Sequence, residues 1–207
     1  PASGVTTFPT TGLTCAHLDP TEPLLWTGTV TGELEFRDAI TGVVVHRDRV
    51  HDGQVVDLVV SDRVVFTAGQ DGFVRSWRRV GATFVRTGTP LRHARPLRSL
   101  TVSSAQVATL DNGYTLRLWD RVTGKEVASR NLSEDDTEAF SARIAFTPDG
   151  ARLMTFGPNS DCTVFDSRLG VVDRPANAVS GGGTMMTWHP SVPGLCLLGD
   201  NIGRVSY

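Results

Sequence analysis

The chain repeats itself, and the period of the repeat restricts its fold more than any other property of the sequence. Arg37, Trp77, Trp119 and Phe165 stand at equivalent places, 40, 42 and 46 residues apart. Ten residues before each stands a threonine: Thr27, Thr67, Thr109 and Thr155. Three of the four are followed by a turn of one make, Asp38-Ala39-Ile40-Thr41-Gly42, Asp120-Arg121-Val122-Thr123-Gly124 and Asp166-Ser167-Arg168-Leu169-Gly170. His51 and His93 each lie 26 residues ahead of a tryptophan, Trp77 and Trp119. Self-similarity at this period means one supersecondary unit used several times. Each copy is stacked so that it covers its neighbour's apolar face.

The second copy, His51 to Trp77, shows what the unit is. Val55–Val60 and Val64–Thr67 are strand-length and rich in valine, and turn residues follow each, Ser61-Asp62-Arg63 and Gln70-Asp71-Gly72. Phe73-Val74-Arg75-Ser76-Trp77 alternates apolar with polar, as a half-buried strand does. Glycine and proline punctuate the chain throughout, and no useful length carries a helical period. The predicted class is therefore all-β.

Four side chains of this copy belong together chemically. A buried indole N–H needs an acceptor, and a hydroxyl, an imidazole and a carboxylate in series supply one while satisfying each other. Trp77, Thr67, His51 and Asp71 are such a series, and His93, Thr109 and Trp119 repeat most of it. These residue types at these spacings resemble the side-chain network of a WD-repeat blade.

The resemblance implies a β-propeller of four-stranded antiparallel blades. About four would be complete, near residues 13–50, 51–92, 93–137 and 138–180, with a partial fifth at 181–207. Residues 1–12 are then a linker, or they carry a closing strand in Gly4-Val5-Thr6-Thr7-Phe8. The favoured expectation is a fragment of a larger ring, seven blades being frequent in the family. An unclosed array leaves bare strand edges, which propellers otherwise protect.

Several groups invite a chemical reading, and each has a plainer one. His51, Thr67 and Asp71 contain the ingredients of a nucleophile triad, but partial recurrence along the chain is the habit of packing devices. Cys15 and His17 share a strand face yet have no second pair at ligand spacing, so no metal site is expected. Glu134, Asp135, Asp136 and Glu138 lack the spaced carboxylates and glycine of a calcium loop. Gly181-Gly182-Gly183-Thr184 has no following lysine and no helix to make a phosphate cradle. No catalytic residue and no cofactor are expected.

Arg86, Arg92, His93, Arg95 and Arg98 form the one basic cluster. It suits a phosphate, an acidic peptide or a solvated loop, and the lack of interleaved aromatics argues against single-stranded nucleic acid. The formal net charge of −2 likewise provides no global attraction to nucleic acid or an anionic membrane. No apolar run is long enough to span a bilayer. Cys15, Cys162 and Cys196, an odd number at unrelated spacings, read as reduced thiols of a cytoplasmic or nuclear protein.

The resemblance further implies a non-catalytic scaffold that docks a protein or peptide on the loops of one face. Here those loops include Asp52, Gln54, Gln70, Arg92, Arg95, Asp111 and Asn112. The alternatives are a regulatory propeller of a larger enzyme, such as a phosphatase or kinase, and an arginine loop that binds phosphate or nucleic acid.

Overall fold

The computed structural model describes residues 12–133, 143–156, 162–174, 183–188, 196–200 and 205–206. Every regular element among them is a β-strand. The first sheet is β1 (Leu13–Leu18), β2 (Leu24–Thr29), β3 (Glu33–Asp38) and β4 (Val44–Arg49). The second is β5 (Val55–Ser61), β6 (Val64–Gly69), β7 (Phe73–Val80) and β8 (Thr83–Arg92). The third is β9 (Leu97–Val102), β10 (Gln106–Asp111), β11 (Thr115–Asp120) and β12 (Glu126–Asn131). The fourth is β13 (Arg143–Phe146), β14 (Leu153–Phe156), β15 (Cys162–Phe165) and β16 (Val171–Asp173). A three-stranded sheet follows, β17 (Gly183–Trp188), β18 (Cys196–Asp200) and β19 (Val205–Ser206). In each sheet the strands pair antiparallel in chain order.

The chain divides into two compact units, Pro1–Pro96 and Leu97–Tyr207. The first holds the first two sheets and the second holds the rest. In the first unit β5 packs on β1 and β2. Trp26, Leu34, Phe36, Val55, Leu58, Val65 and Phe84 are buried together there, with Trp77 against them. In the second, Leu110, Leu116, Leu118, Ile144, Phe146, Leu153 and Phe165 form the core. Burying each such side chain contributes about 1.5–3 kcal/mol. The sequence explains the layering. Second strands such as β6 and β10 are buried on both faces and carry apolar or small residues in succession. Fourth strands such as β4 and β12 are largely exposed and mix charges with valines.

The recurring turn after the tryptophan slot owes its shape to its aspartate. Asp38 Oδ1 accepts from the amides of Ile40 and Thr41 at 3.0 and 2.7 Å, and Asp120 Oδ1 accepts from Val122 and Thr123 at 3.1 and 2.7 Å. Asp166 Oδ1 accepts from Arg168 and Gly170, both at 2.8 Å. These are turns closed by the carboxylate of their own first residue. The Gly42 amide then bonds Asp38 O at 2.8 Å, and β4 starts at Val44. The second repeat has Arg78 where the others have aspartate. Its hairpin runs on to Val80 and back from Thr83, and β8 reaches Arg92. Gly4–Phe8 and the acidic run Glu134–Glu138 lie outside the described residues, as do Gly181 and Gly182.

Candidate functional site

The second sheet assembles the predicted series of four side chains. The Trp77 indole N–H donates to Thr67 Oγ1 at 3.0 Å. Thr67 Oγ1 lies 2.8 Å from His51 Nε2, and His51 Nδ1 lies 2.9 Å from Asp71 Oδ1. His51 Nδ1 also lies 2.5 Å from Arg75 Nη1; Asp71 can only accept and Arg75 can only donate, so the imidazole proton sits on Nδ1 where the Asp71 bond is made. With the proton on Nδ1, Nε2 is the acceptor for the Thr67 hydroxyl, which frees that oxygen's lone pairs for the indole. The register places the partners: Thr67 is on β6, Trp77 on β7, and His51 enters from the segment before β5.

Burial holds the His51 imidazole below its ordinary pKa despite the charge and hydrogen bond of Asp71, so the ring is neutral at pH 7. Burial would raise the Asp71 carboxyl, but His51, the Arg75 hydrogen bond and the Asp52 amide outweigh it and hold it below the usual range. Arg75 is a fifth member that the sequence reading missed. Its Nη1 donates to Asp71 Oδ2 at 2.7 Å, and its guanidinium lies over the Phe73 ring at 4.7 Å.

Gly69 is a second omission. A Cβ there would stand 2.2 Å from His51 Nδ1 and 2.5 Å from Asp71 Oδ1. The imidazole and its carboxylate therefore require glycine at this place. The matching residues of the first and third repeats are Thr29 and Asp111. The run Ala68-Gly69-Gln70-Asp71-Gly72 contained this signal, but its glycine reads as turn punctuation until the histidine's position is known.

The other repeats keep different parts of the device. In the third, the Trp119 indole donates to Thr109 Oγ1 at 2.8 Å, and Gly113 stands where the second has Asp71. His93 is buried in the first unit and donates its amide to Gly72 O at 2.8 Å. In the first repeat Arg37 takes the tryptophan slot and the network becomes ionic. Glu35, 1% exposed, accepts from Thr27 Oγ1 at 3.2 Å and pairs with Arg37 and Arg47, each at 2.5 Å. The arginine in that place thus has its counter-ion, Glu35, two residues earlier on the strand, and the same carboxylate takes a second guanidinium, Arg47, from across it.

What these supports hold up is the turn between the second and third strands. Gly32 and Gly72 have φ of 86° and 79°, and Tyr114 takes the matching place with φ 61°. The carbonyl of each accepts a returning amide, Val50 to Gly32 at 2.8 Å, His93 to Gly72 at 2.8 Å and Leu132 to Tyr114 at 2.9 Å. At Gly72 a Cβ would lie 2.9 Å from His93 O and 3.0 Å from Arg95 O. The connector after β8 is therefore seated on the turn.

The predicted partner-facing residues divide by this geometry. Asp52, Gln70, Arg92 and Arg95 are exposed at one end of the second sheet. Gln70 Nε2 donates to Gln54 Oε1 at 3.3 Å, and the Asp52 amide donates to Asp71 Oδ2 at 3.1 Å, which ties the loop before β5 to the turn. Arg92 faces Phe73 across β7 and β8 and lies over its ring at 5.8 Å. In the second unit Asn112 is exposed, whereas Asp111 is 2% exposed and its Oδ1 accepts from the Gly113 and Thr115 amides. Asp111 shapes its own turn from inside.

As chemistry, the four-residue series suits support. Thr67 is wholly buried, and its hydroxyl already serves both the indole and the imidazole, so nothing can approach it as a nucleophile. Cys15 and His17 sit on β1, where His17 Nδ1 accepts the Val60 amide at 3.4 Å. Among the described residues no three His, Cys, Asp or Glu side chains converge as metal ligands. No described helix is long and apolar enough to cross a membrane. No protein-family model matches the chain, and no curated protein matches it.

Proposed function

We propose that the chain is a WD-repeat-like part of a β-propeller that serves as a non-catalytic scaffold, docking a protein or peptide on the turns at one end of its sheets. One observation carries this reading. The Gly69–Gly72 turn is fixed from below by the His51–Asp71 pair and from the side by the His93–Arg95 connector, while Asp52, Gln70, Arg92 and Arg95 stay exposed around it. A rigid backbone that presents polar side chains at a sheet end needs little ordering when it binds, and this favours affinity. The repeated sheets and the Trp–Thr pairs at equal spacing support the propeller part of the reading.

The test places a photo-crosslinking amino acid at Gln70, and in a separate protein at Val122, an exposed hairpin tip. In extract of the source cells, the reading expects discrete crosslinked species from position 70 and none from position 122. Equal labelling from both, or none from position 70, contradicts it.

A further inference from the structure

We infer that the outer edge of the second sheet, along Thr83–Thr87, takes an extended peptide of alternating acidic and aliphatic residues as a fifth strand. This surface lies toward the opposite end of the sheet from the Gly69–Gly72 turn and is separate from the docking proposed there. Each fourth strand has a strand neighbour on one side only. Three of the four are interrupted close to their start. The register shifts at Phe36/Arg37 beside β4, at Leu118/Trp119 beside β12 and at Val164/Phe165 beside β16, and Val45, Val127 and Val172 are the extra residues. Bulges, short strands and charges keep a sheet edge from pairing further. Beyond its bulge β4 reads His46-Arg47-Asp48-Arg49, β12 carries Arg130, and β16 is only three residues long.

β8 differs, and Arg78 stands where the other hairpins have their turn aspartate. Its pairing with β7 is unbroken from Val80 and Thr83 to Ser76 and Thr87. The register shift comes only afterwards, where Gly88-Thr89-Pro90 stand opposite Arg75. Thr83-Phe84-Val85-Arg86-Thr87 is thus a regular edge, rich in β-branched residues and with one charge. Thr83, Val85 and Arg86 are exposed, Val85 at 47%. Phe84 is buried in the core of the first unit and anchors the strand.

Charge selects the occupant of this edge. From Phe73 to Pro96 the chain has six arginines and no aspartate or glutamate. Arg75 is matched by Asp71 and Arg79 by Glu22, each at 2.7 Å. Arg78 and Arg86 are exposed, and neither has a charged partner among the described residues. Arg78 is paired with Val85, so these two share a face, and Arg86, paired with Trp77, is on the other. A strand added beside β8 meets Val85 on one face and Arg86 on the other, which suits aliphatic and acidic residues in alternation. A second copy of the chain on this edge would bring Arg78 and Arg86 against the same two residues, with no carboxylate on either hairpin. Like charges disfavour that pairing.

The test uses the full chain and a fluorescein-labelled hexapeptide of alternating glutamate and valine, read by anisotropy at low salt. Arg86→Glu should weaken binding by about tenfold. Val85→Lys, which places a charge on the edge, should weaken it similarly. Both side chains are exposed, so the melting temperature should not change. Arg95→Glu, at the other end of the sheet, should keep the binding, and a lysine–valine hexapeptide should show none. Peptides N-methylated on alternate residues separate strand addition from a mere charge contact. An added strand turns every second amide toward β8, so methylating one set should abolish binding and methylating the other should spare it. Binding indifferent to both methylated sets, or unchanged by Arg86→Glu and Val85→Lys, overturns the inference. So does failure of the glutamate–valine peptide to bind. Self-association of the unaltered chain that Val85→Lys removes also overturns it, because the edge then belongs to a second copy.

Discussion

Trp77 donates to Thr67 across ten residues of sequence, at 3.0 Å, and Trp119 donates to Thr109 across the same ten at 2.8 Å. The spacing works because each threonine sits on a second strand and its tryptophan on the third, two residues from direct pairing. The antiparallel turn between them fixes the loop length. A hydrogen bond of this kind contributes about 1 kcal/mol, and a buried indole left unpaired costs about 1–3 kcal/mol. The pair is therefore a local condition for the sheet and a marker of its register.

Gly69→Ala should destabilise the chain by about 1–3 kcal/mol, because the added methyl meets His51 and Asp71 well inside contact distance. The loss should shrink in a His51→Ala background, where the methyl has room. Denaturant midpoints of the two single variants and the double variant measure this. An equal penalty in both backgrounds contradicts the packing described.

Much of this was legible in the sequence, and the failures have a common cause. The threonine and tryptophan spacing, the aspartate turns and the all-β class depend on local order, which the chain states directly. Gly69 and Arg75 became functional only when His51 was placed over them, and His51 arrives from the preceding connector. Nothing in the spacing of Glu35 marks it in the sequence. Its partner Arg47 is its cross-strand neighbour, a fact that follows from register and not from spacing. Asp111 was read as partner-facing because it lies in a turn, yet its carboxylate is turned inward to the amides of that turn.

Acid should weaken the fold in a defined window. Burial lowers the pKa of both His51 and His17 from the ordinary 6.5. Below that value the unfolded chain takes up protons that the folded chain refuses. The contribution is complete above pH 6.5 and is lost as pH falls through the lowered folded values. Each histidine gives a slope of at most about 1.4 kcal/mol per pH unit. Urea midpoints should fall from pH 7 to pH 5, and His51→Gln should flatten that fall. A midpoint independent of pH contradicts neutral buried imidazoles.

Glu35→Gln should cost about 1–3 kcal/mol, because it leaves the half-buried Arg37 guanidinium without its counter-charge. Replacing both, Glu35→Met with Arg37→Leu, should recover most of the loss. Thermal melts of the two variants decide it. A double variant as weak as the single one would mean that the ion pair is not the source of the effect.

Asp120→Ala should loosen its hairpin, while Asp120→Asn should hold it, since the amide oxygen can still accept. Backbone and side-chain bonds from Thr123 hold the Asp120 carboxyl below its ordinary pKa. The wild-type turn therefore keeps its carboxylate above the ordinary value and loses that contribution as pH falls through the lowered one. Hydrogen exchange at the Val122 and Thr123 amides reads this directly. Exchange unchanged by alanine would show that the backbone alone makes the turn.

The central claim is that Trp77, Thr67, His51 and Asp71 act as one supporting network under the Gly69–Gly72 turn. A double-mutant cycle of Trp77→Phe and Thr67→Val, measured by chemical denaturation, tests it most directly. Thr67→Val leaves both the indole and the imidazole without the hydroxyl and should lose about 1–3 kcal/mol, whereas Trp77→Phe removes one hydrogen bond but leaves Thr67 on His51 and should lose about 1 kcal/mol. The double variant should lose less than their sum, by about 0.5–3 kcal/mol. Strictly additive losses would contradict the network and, with it, the account of how the turn is held.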